Sequence, residues 1–297
     1  KSIADYLTCE EIDPEYDVVL YNNLAVAYEN LNDYDKALEV YTKAIEMDST
    51  YTQAILNRAT LYEEHFNDNE KALLDYNKLI ELAPENSDHY YYRGRFYVEY
   101  LEDYDKAIVD FSKGIELNSS DPDLYFQRAL LNQNNLFNYD KSLADYLIAI
   151  ELDPQGVMAY NNIAQLYRIQ FKDYDKALDF YTKSIEMDST FVRYYRNRAQ
   201  LYSENLNDND SALLDYNKLI ELDPEDSDGY YYRGEFYKNY LEDYDKAIED
   251  FTSGIELNSS DPDLYFERAH SYASLDNDIK SIADYLTCEE IDPEYDV

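Results

Sequence analysis

Aspartate pairs recur along the chain at Asp33/Asp35, Asp103/Asp105, Asp173/Asp175, Asp208/Asp210, Asp243/Asp245 and Asp276/Asp278. Rows of carboxylate oxygens are what a calcium ion takes as ligands, and Asp103, Asp105, Asp243 and Asp245 are the candidates. The same residues at a helix start would cap it and set negative charge against its positive end. No glycine-containing calcium loop accompanies them, which favours capping. His65, His89 and His270 are scattered, none with a cysteine or second histidine at metal-ligand spacing. No glycine-rich phosphate loop is present, and no carboxylate is singled out by apolar neighbours. Neither catalysis nor a cofactor is expected. The only two cysteines, Cys9 and Cys288, do not make a disulfide framework and read as small apolar thiols. Asn118 and Asn258 open Asn-Ser-Ser sequons, which matter only on a glycosylating secretory route.

A second set of residues suits binding. Tyr91, Phe126, Tyr231 and Phe266 share a helical face with Arg95, Arg168, Arg193, Arg196 and Lys238. An aromatic groove with a few cations could hold an extended peptide. The alternative is that this face meets neighbouring turns of the same structure, or water. The net charge of −39 argues against nucleic acid and anionic membrane surfaces. It favours cations or basic partners. No apolar run approaches the roughly 18 residues of a membrane span.

The elements that position these residues follow from a period. One aromatic recurs as Tyr6, Tyr41, Tyr76, Phe111, Tyr146, Tyr181, Tyr216, Phe251 and Tyr285, in seven steps of 35 residues and one of 34. Ser2, Ala37, Ala72, Ala107, Ser142, Ala177, Ala212, Ala247 and Ser281 each precede it by four. Between successive aromatics lie two stretches with apolar spacings of three and four, such as 90–101 and 103–117, which predict a helix pair. Asp103 or its neighbours should cap the second helix, and Pro122 should sit in the first turn of the next. With 45% apolar residues, only 6 glycines and 7 prolines, the chain has a core and no long linker.

This pattern resembles the tetratricopeptide repeat family over the whole chain. That family's first helix takes a large apolar residue, a small one and an aromatic, here Tyr90, Gly94 and Tyr97, or Tyr230, Gly234 and Tyr237. Its second helix takes Ala37, Tyr41 and Ala44, with proline beyond the end at Pro14, Pro84, Pro154, Pro224 and Pro293. The resemblance implies an all-α, α-α superhelix solenoid of about eight helix pairs plus one leading helix. Residues 1–17 would be the second helix of an incomplete repeat, with four-repeat blocks at 18–156 and 157–297 in one continuous solenoid. Six of the eight turns should carry one extra residue, the usual turn glycine being replaced by Asn32, Asn67 or Glu102. Leu79 and Leu219 occupy a small-residue slot, so splaying or local repacking is expected there. Some family members grip a terminal carboxylate with Lys, Asn and Arg; no matching set is found here.

The repeats are nested. Residues 114–126 return unchanged at 254–266, and the eighteen residues 1–18 return unchanged as 280–297. A lone solenoid with uncapped ends exposes bare helix faces, whereas an array of identical 279-residue units covers them. The leading expectation is a structural repeat protein, a slice of a longer array forming a fibre, with its own neighbours as partners. Val, then LYNNLAVAY, should follow Val297. A fibre would belong outside the cell or at its surface. The alternative is a scaffold, cytoplasmic, that recruits peptide segments of other proteins along its groove.

Overall fold

A computed structural model describes residues 18–293, and the leading helix expected at 1–17, with Cys9, lies outside the described residues. Among the described residues there are sixteen helices and no strand. The chain divides into two compact units, Lys1–Asp153 and Pro154–Val297. In the first, the helices are α1 (Val18–Glu29), α2 (Tyr34–Met47), α3 (Thr52–Leu61), α4 (Asn69–Leu82), α5 (Ser87–Glu99), α6 (Tyr104–Leu117), α7 (Pro122–Asn134) and α8 (Tyr139–Leu152). In the second they are α9 (Val157–Leu166), α10 (Tyr174–Met187), α11 (Val192–Gln200), α12 (Asn209–Leu222), α13 (Ser227–Tyr240), α14 (Tyr244–Leu257), α15 (Pro262–Ser274) and α16 (Asp278–Ile291). The π-helical turns Tyr62–Phe66, Tyr167–Phe171 and Leu201–Leu206 extend α3, α9 and α11. Within each unit four antiparallel pairs stack in chain order. No helix is long and apolar enough to cross a membrane among the described residues.

The recurring aromatic is the core. Tyr41, Tyr76, Phe111 and Tyr146 in the first unit, and Tyr181, Tyr216 and Phe251 in the second, are buried beside the alanine or serine one turn earlier. Close helix approach needs the small residues opposite: a Cβ on Gly94 or Gly234 would lie 2.8 or 2.7 Å from the ring of Phe111 or Phe251. Volumes are traded across the next contact as well. Gly114 and Gly254 leave room for Leu124 and Leu264, whose methyl carbons lie 2.6 and 2.7 Å from where a Cβ would sit. Where the slot holds the buried Leu79 or Leu219 instead, the residue ten further on is His89 or Gly229.

Each pair turns on the same device. The residue before the second helix's cap has positive φ in all eight pairs: Asn32, Asn67, Glu102, Phe137, Lys172, Asn207, Glu242 and Asp276. None is glycine. In six pairs the cap N–H reaches the carbonyl six residues back, as Asp103 to Tyr97 at 2.9 Å. In the first and last pairs it reaches five back, as Asp33 to Tyr28 at 3.0 Å. The six longer turns carry the extra residue expected from the 35-residue period. Asp33, Asp68, Asp103, Asp173, Asp208 and Asp243 then cap the second helices by accepting from the backbone N–H three residues on. Pro122 and Pro262 occupy the first turns of α7 and α15.

Candidate functional site: an arginine-lined cavity in the second unit

The chemistry-bearing residues separate into those the fold consumes and those it leaves free. The largest consumed set is a row of arginines on the first helices. Arg58, Arg93 and Arg128 in the first unit, and Arg198, Arg233 and Arg268 in the second, each hold an aspartate of their partner helix in two hydrogen bonds. Those aspartates are Asp75, Asp110, Asp145, Asp215, Asp250 and Asp284. The third nitrogen, Nη1, donates to Thr42, Asn77, Ser112, Thr182, Asn217 or Thr252 on the preceding second helix. These pairs tie consecutive repeats together. Sequence reading missed them, although six arginines at the 35-residue period, each followed by an aspartate 16 or 17 residues later, were a usable signal.

The candidate calcium ligands also sit in a recurring structural motif. Lys106 Nζ lies 2.5 Å from Asp103 Oδ2 and stacks 5.2 Å from the Tyr97 ring; Lys246 lies 2.8 Å from Asp243 and 5.1 Å from the Tyr237 ring. The hydrogen bond from lysine lowers the pKa of both aspartates. Asp105 and Asp245 lie in the first turns of α6 and α14. Cys288 is buried and donates to the Pro262 carbonyl at 3.0 Å. Burial pushes its thiol up to about 11.

The nine proposed groove residues divide between the two units. In the first unit, Arg95 grips Glu99 through two hydrogen bonds, Tyr91 packs edge-on to Tyr92, and Phe126 packs on the core Tyr146. In the second, Arg168 pairs with Glu204 at 3.0 Å, Lys238 pairs with Glu267, Tyr231 packs against Tyr232 and Phe251, and Phe266 packs against His270 and Tyr285. Arg193 and Arg196 line one cavity together, and neither makes an ion pair among the described residues.

That cavity, about 310 Å³, opens between the start of α11 and the junction of α12 with α13. Arg196 Nη1 donates to the Tyr232 hydroxyl at 2.8 Å, and its guanidinium lies 4.9 Å from the Tyr232 ring centre. Arg193 stands 5.8 Å from the Phe191 ring. Asp223, Asp226 and Asp228 also line it. Burial and the nearby Asp226 and Asp261 push the Asp228 carboxyl up, against the pull of Arg196. The first unit differs in sequence at this place. In its matching register it has Gln53, Leu56 and His89 where the second has Arg193, Arg196 and Gly229. His89 is buried, 3.3 Å from Asn86.

A second titratable cluster lies in the first unit. Glu63, in the π-helical turn, is buried and accepts from the Tyr76 hydroxyl at 2.7 Å. Burial pushes its carboxyl up to about 7, with Arg95 pulling the other way and Glu64 and Glu99 adding to the rise. Glu29 and Tyr41 repeat the contact at 2.6 Å. Opposite Phe111, which has no hydroxyl, the chain places Val98.

Tetratricopeptide repeat profiles match residues 18–51, 53–86, 159–191, 192–226, 215–249 and 262–295, more than half of the sequence. The chain belongs to the tetratricopeptide repeat family. No curated protein matches it. Among solved structures it is similar to the C-terminal part of a TPR repeat-containing protein from Cytophaga hutchinsonii, with TM-score 0.64 and 20% identity, covering 82% of this chain and 98% of that one. It is also similar to PilW, described as a widely conserved type IV pilus biogenesis factor, with TM-score 0.60 and 16% identity over 70% and 94% of the two chains. A third similarity is to the APC/C hetero-tetramer Cut9–Hcn1, with TM-score 0.56 and 17% identity over 88% and 50%. At these identities the likeness is one of fold: tetratricopeptide helix pairs with the family's small and aromatic core positions.

Proposed function

We propose that this tetratricopeptide protein is a non-enzymatic interaction scaffold whose second unit takes an extended peptide at the Arg193–Arg196 cavity. The carrying observation is that both guanidiniums lack a carboxylate partner in a chain of net charge −39. A carboxylate side chain of the ligand would complete them. Phe191 and Tyr232 offer aromatic walls for an apolar neighbour. The acidic body, with Asp223, Asp226 and Asp228 at the cavity, selects basic residues flanking that acidic one. Screening immobilised peptides tests this. Bound sequences should combine one acidic residue with basic flanks, and Gly229→His, which installs the first unit's residue, should remove that preference. Unchanged binding by Gly229→His and by Arg193→Ala/Arg196→Ala together would overturn the assignment.

A second reading, the long array or fibre, is supported by the unchanged return of residues 1–18 as 280–297. Denaturing electrophoresis of unproteolysed native material tests it, because covalent continuity survives unfolding. A native polypeptide far larger than 35.1 kDa is expected; a single band near that mass would exclude a covalent array.

A further inference from the structure

One helix pair of the first unit departs from the others where a ring meets two cations. Toward the end of the first helix, or in the π-helical turn that extends it, each of the other seven pairs holds a tyrosine: Tyr28, Tyr62, Tyr97, Tyr167, Tyr202, Tyr237 or Tyr272. Arg58 and Lys71 stand 5.9 and 5.2 Å from the Tyr62 ring centre, and Arg93 and Lys106 stand 5.8 and 5.2 Å from that of Tyr97. The capping aspartate fixes the lysine, with Lys71 2.6 Å from Asp68 and Lys106 2.5 Å from Asp103.

In the fourth pair the two cations remain, but the ring and the capping carboxylate do not. Asn132 stands in place of the tyrosine and Asn138 in place of the aspartate, alongside Arg128 and Lys141. Asn138 makes no side-chain cap. The short Asn132 side chain is buried and turns back to donate to the Arg128 carbonyl at 2.9 Å. A cavity of about 320 Å³ opens there among α6, α7 and α8, with Arg128, Asn132 and Lys141 in its lining and apolar surface from Ile108 and Ala144. Asp145 and Ser112 also line it, and both are already engaged by Arg128. Lys141 and Ala144 are exposed, so the cavity is entered from solvent. Lys141 makes no ion pair or ring contact among the described residues.

We propose that this cavity binds a phenol ring, the group that the other seven pairs supply from their own chain. A ring seated there meets Arg128 and Lys141 as Tyr97 meets Arg93 and Lys106. Cations attract the electron-rich face of an aromatic ring, a face that a saturated ring of the same size does not have. The volume lies at the lower end of small-molecule pockets, roughly 300–1,000 Å³, which suits one ring. That ring has two sources, the side chain of a tyrosine in a partner segment or a small para-substituted phenol. The site belongs to the first unit and does not depend on the Arg193–Arg196 cavity.

Isothermal titration calorimetry of the full chain with p-cresol, the tyrosine side chain as a separate molecule, is the test. Binding should be saturable. Asn132→Tyr, which installs the residue of the other pairs, should weaken it by at least about tenfold at unchanged helix content by circular dichroism. Lys141→Ala should weaken it by at least about threefold. Lys176→Ala, which removes an ammonium already 4.9 Å from the Tyr167 ring, should leave it unchanged. Methylcyclohexanol, the saturated analogue, should bind at least about tenfold more weakly than p-cresol. N-acetyltyrosinamide distinguishes the sources: affinity within about tenfold of that of p-cresol assigns a tyrosine of a partner segment, and weaker binding assigns a small phenol. No saturable binding of p-cresol, equal binding of methylcyclohexanol, or equal binding by a folded Asn132→Tyr or by Lys141→Ala would each overturn the proposal. If Asn132→Tyr loses helix content, the contrast between Lys141→Ala and Lys176→Ala decides.

Discussion

Arg128 closes two 2.8 Å hydrogen bonds on the Asp145 carboxylate and reaches Ser112 Oγ of the preceding helix at 3.2 Å. One side chain thereby joins three helices, α6, α7 and α8, and five further arginines do the same in their own repeats. Removing one member leaves a largely buried charge without its partner. Arg128→Ala should cost about 3–5 kcal/mol, whereas replacing both members with well-packed apolar residues should cost little. The chain already contains that replacement, as Ile163 with Phe180 and as Leu24 with Val40. Arg128→Ile with Asp145→Phe should therefore recover most of the stability lost by Arg128→Ala, measured by urea unfolding. A double variant no more stable than the single would show that the pair contributes more than its packing volume.

Phe137 holds φ 55° at the turn before α8 and is largely exposed. A bulky residue in this left-handed region costs about 1–2 kcal/mol relative to one without a Cβ. Phe137→Gly should stabilise the protein by about 1 kcal/mol, less the edge contact with Tyr139, seen as a higher urea midpoint at unchanged slope.

Glu63 makes stability depend on pH in an uncommon direction for a carboxylate. Its folded value, about 7, lies above the ordinary carboxylate range, so the folded state holds this proton more tightly than the unfolded one. Its contribution is complete below about pH 4.5 and is lost as pH rises through about 7, at no more than about 1.4 kcal/mol per pH unit. The capping aspartates, whose pKa values are lowered, act in the opposite sense and at lower pH. Unfolding measured from pH 5 to 8 should fall more steeply for the wild type than for Glu63→Gln. Parallel curves would place the Glu63 carboxylate in water.

With a net charge of −39, self-repulsion opposes compaction, and added salt screens it. The melting temperature should rise with NaCl. At equal ionic strength calcium should act as magnesium does, because Asp103 and Asp243 already spend their oxygens on a lysine and a backbone N–H. A rise specific to calcium would assign the turns a metal.

Core truncation gives the scale for these effects. Tyr146 is fully buried against Phe126, and Tyr146→Ala should cost roughly 3–5 kcal/mol. A loss below about 1 kcal/mol on calorimetric melting would contradict its place in the core.

The period alone determined the helix pairs, the buried aromatic, the close-approach glycines, the capping aspartates and the six longer turns. Those features are local, or repeat at fixed spacing, so one side chain's fate at one position holds for all its counterparts. The cationic face was legible only as a list. Sequence reading groups Arg95, Arg168 and Lys238 with Arg193 and Arg196, yet their charges are spent on Glu99, Glu204 and Glu267. Those carboxylates come from the next turn, 4 residues away for Arg95, or from another helix, 36 and 29 residues away for Arg168 and Lys238. Which cation stays free depends on distances of a few ångströms between separate helices, and on whether the facing slot holds His89 or Gly229. Periodicity is indifferent to both. Tertiary packing decided them, because a charge is silenced or left available by what lies within hydrogen-bonding reach in space.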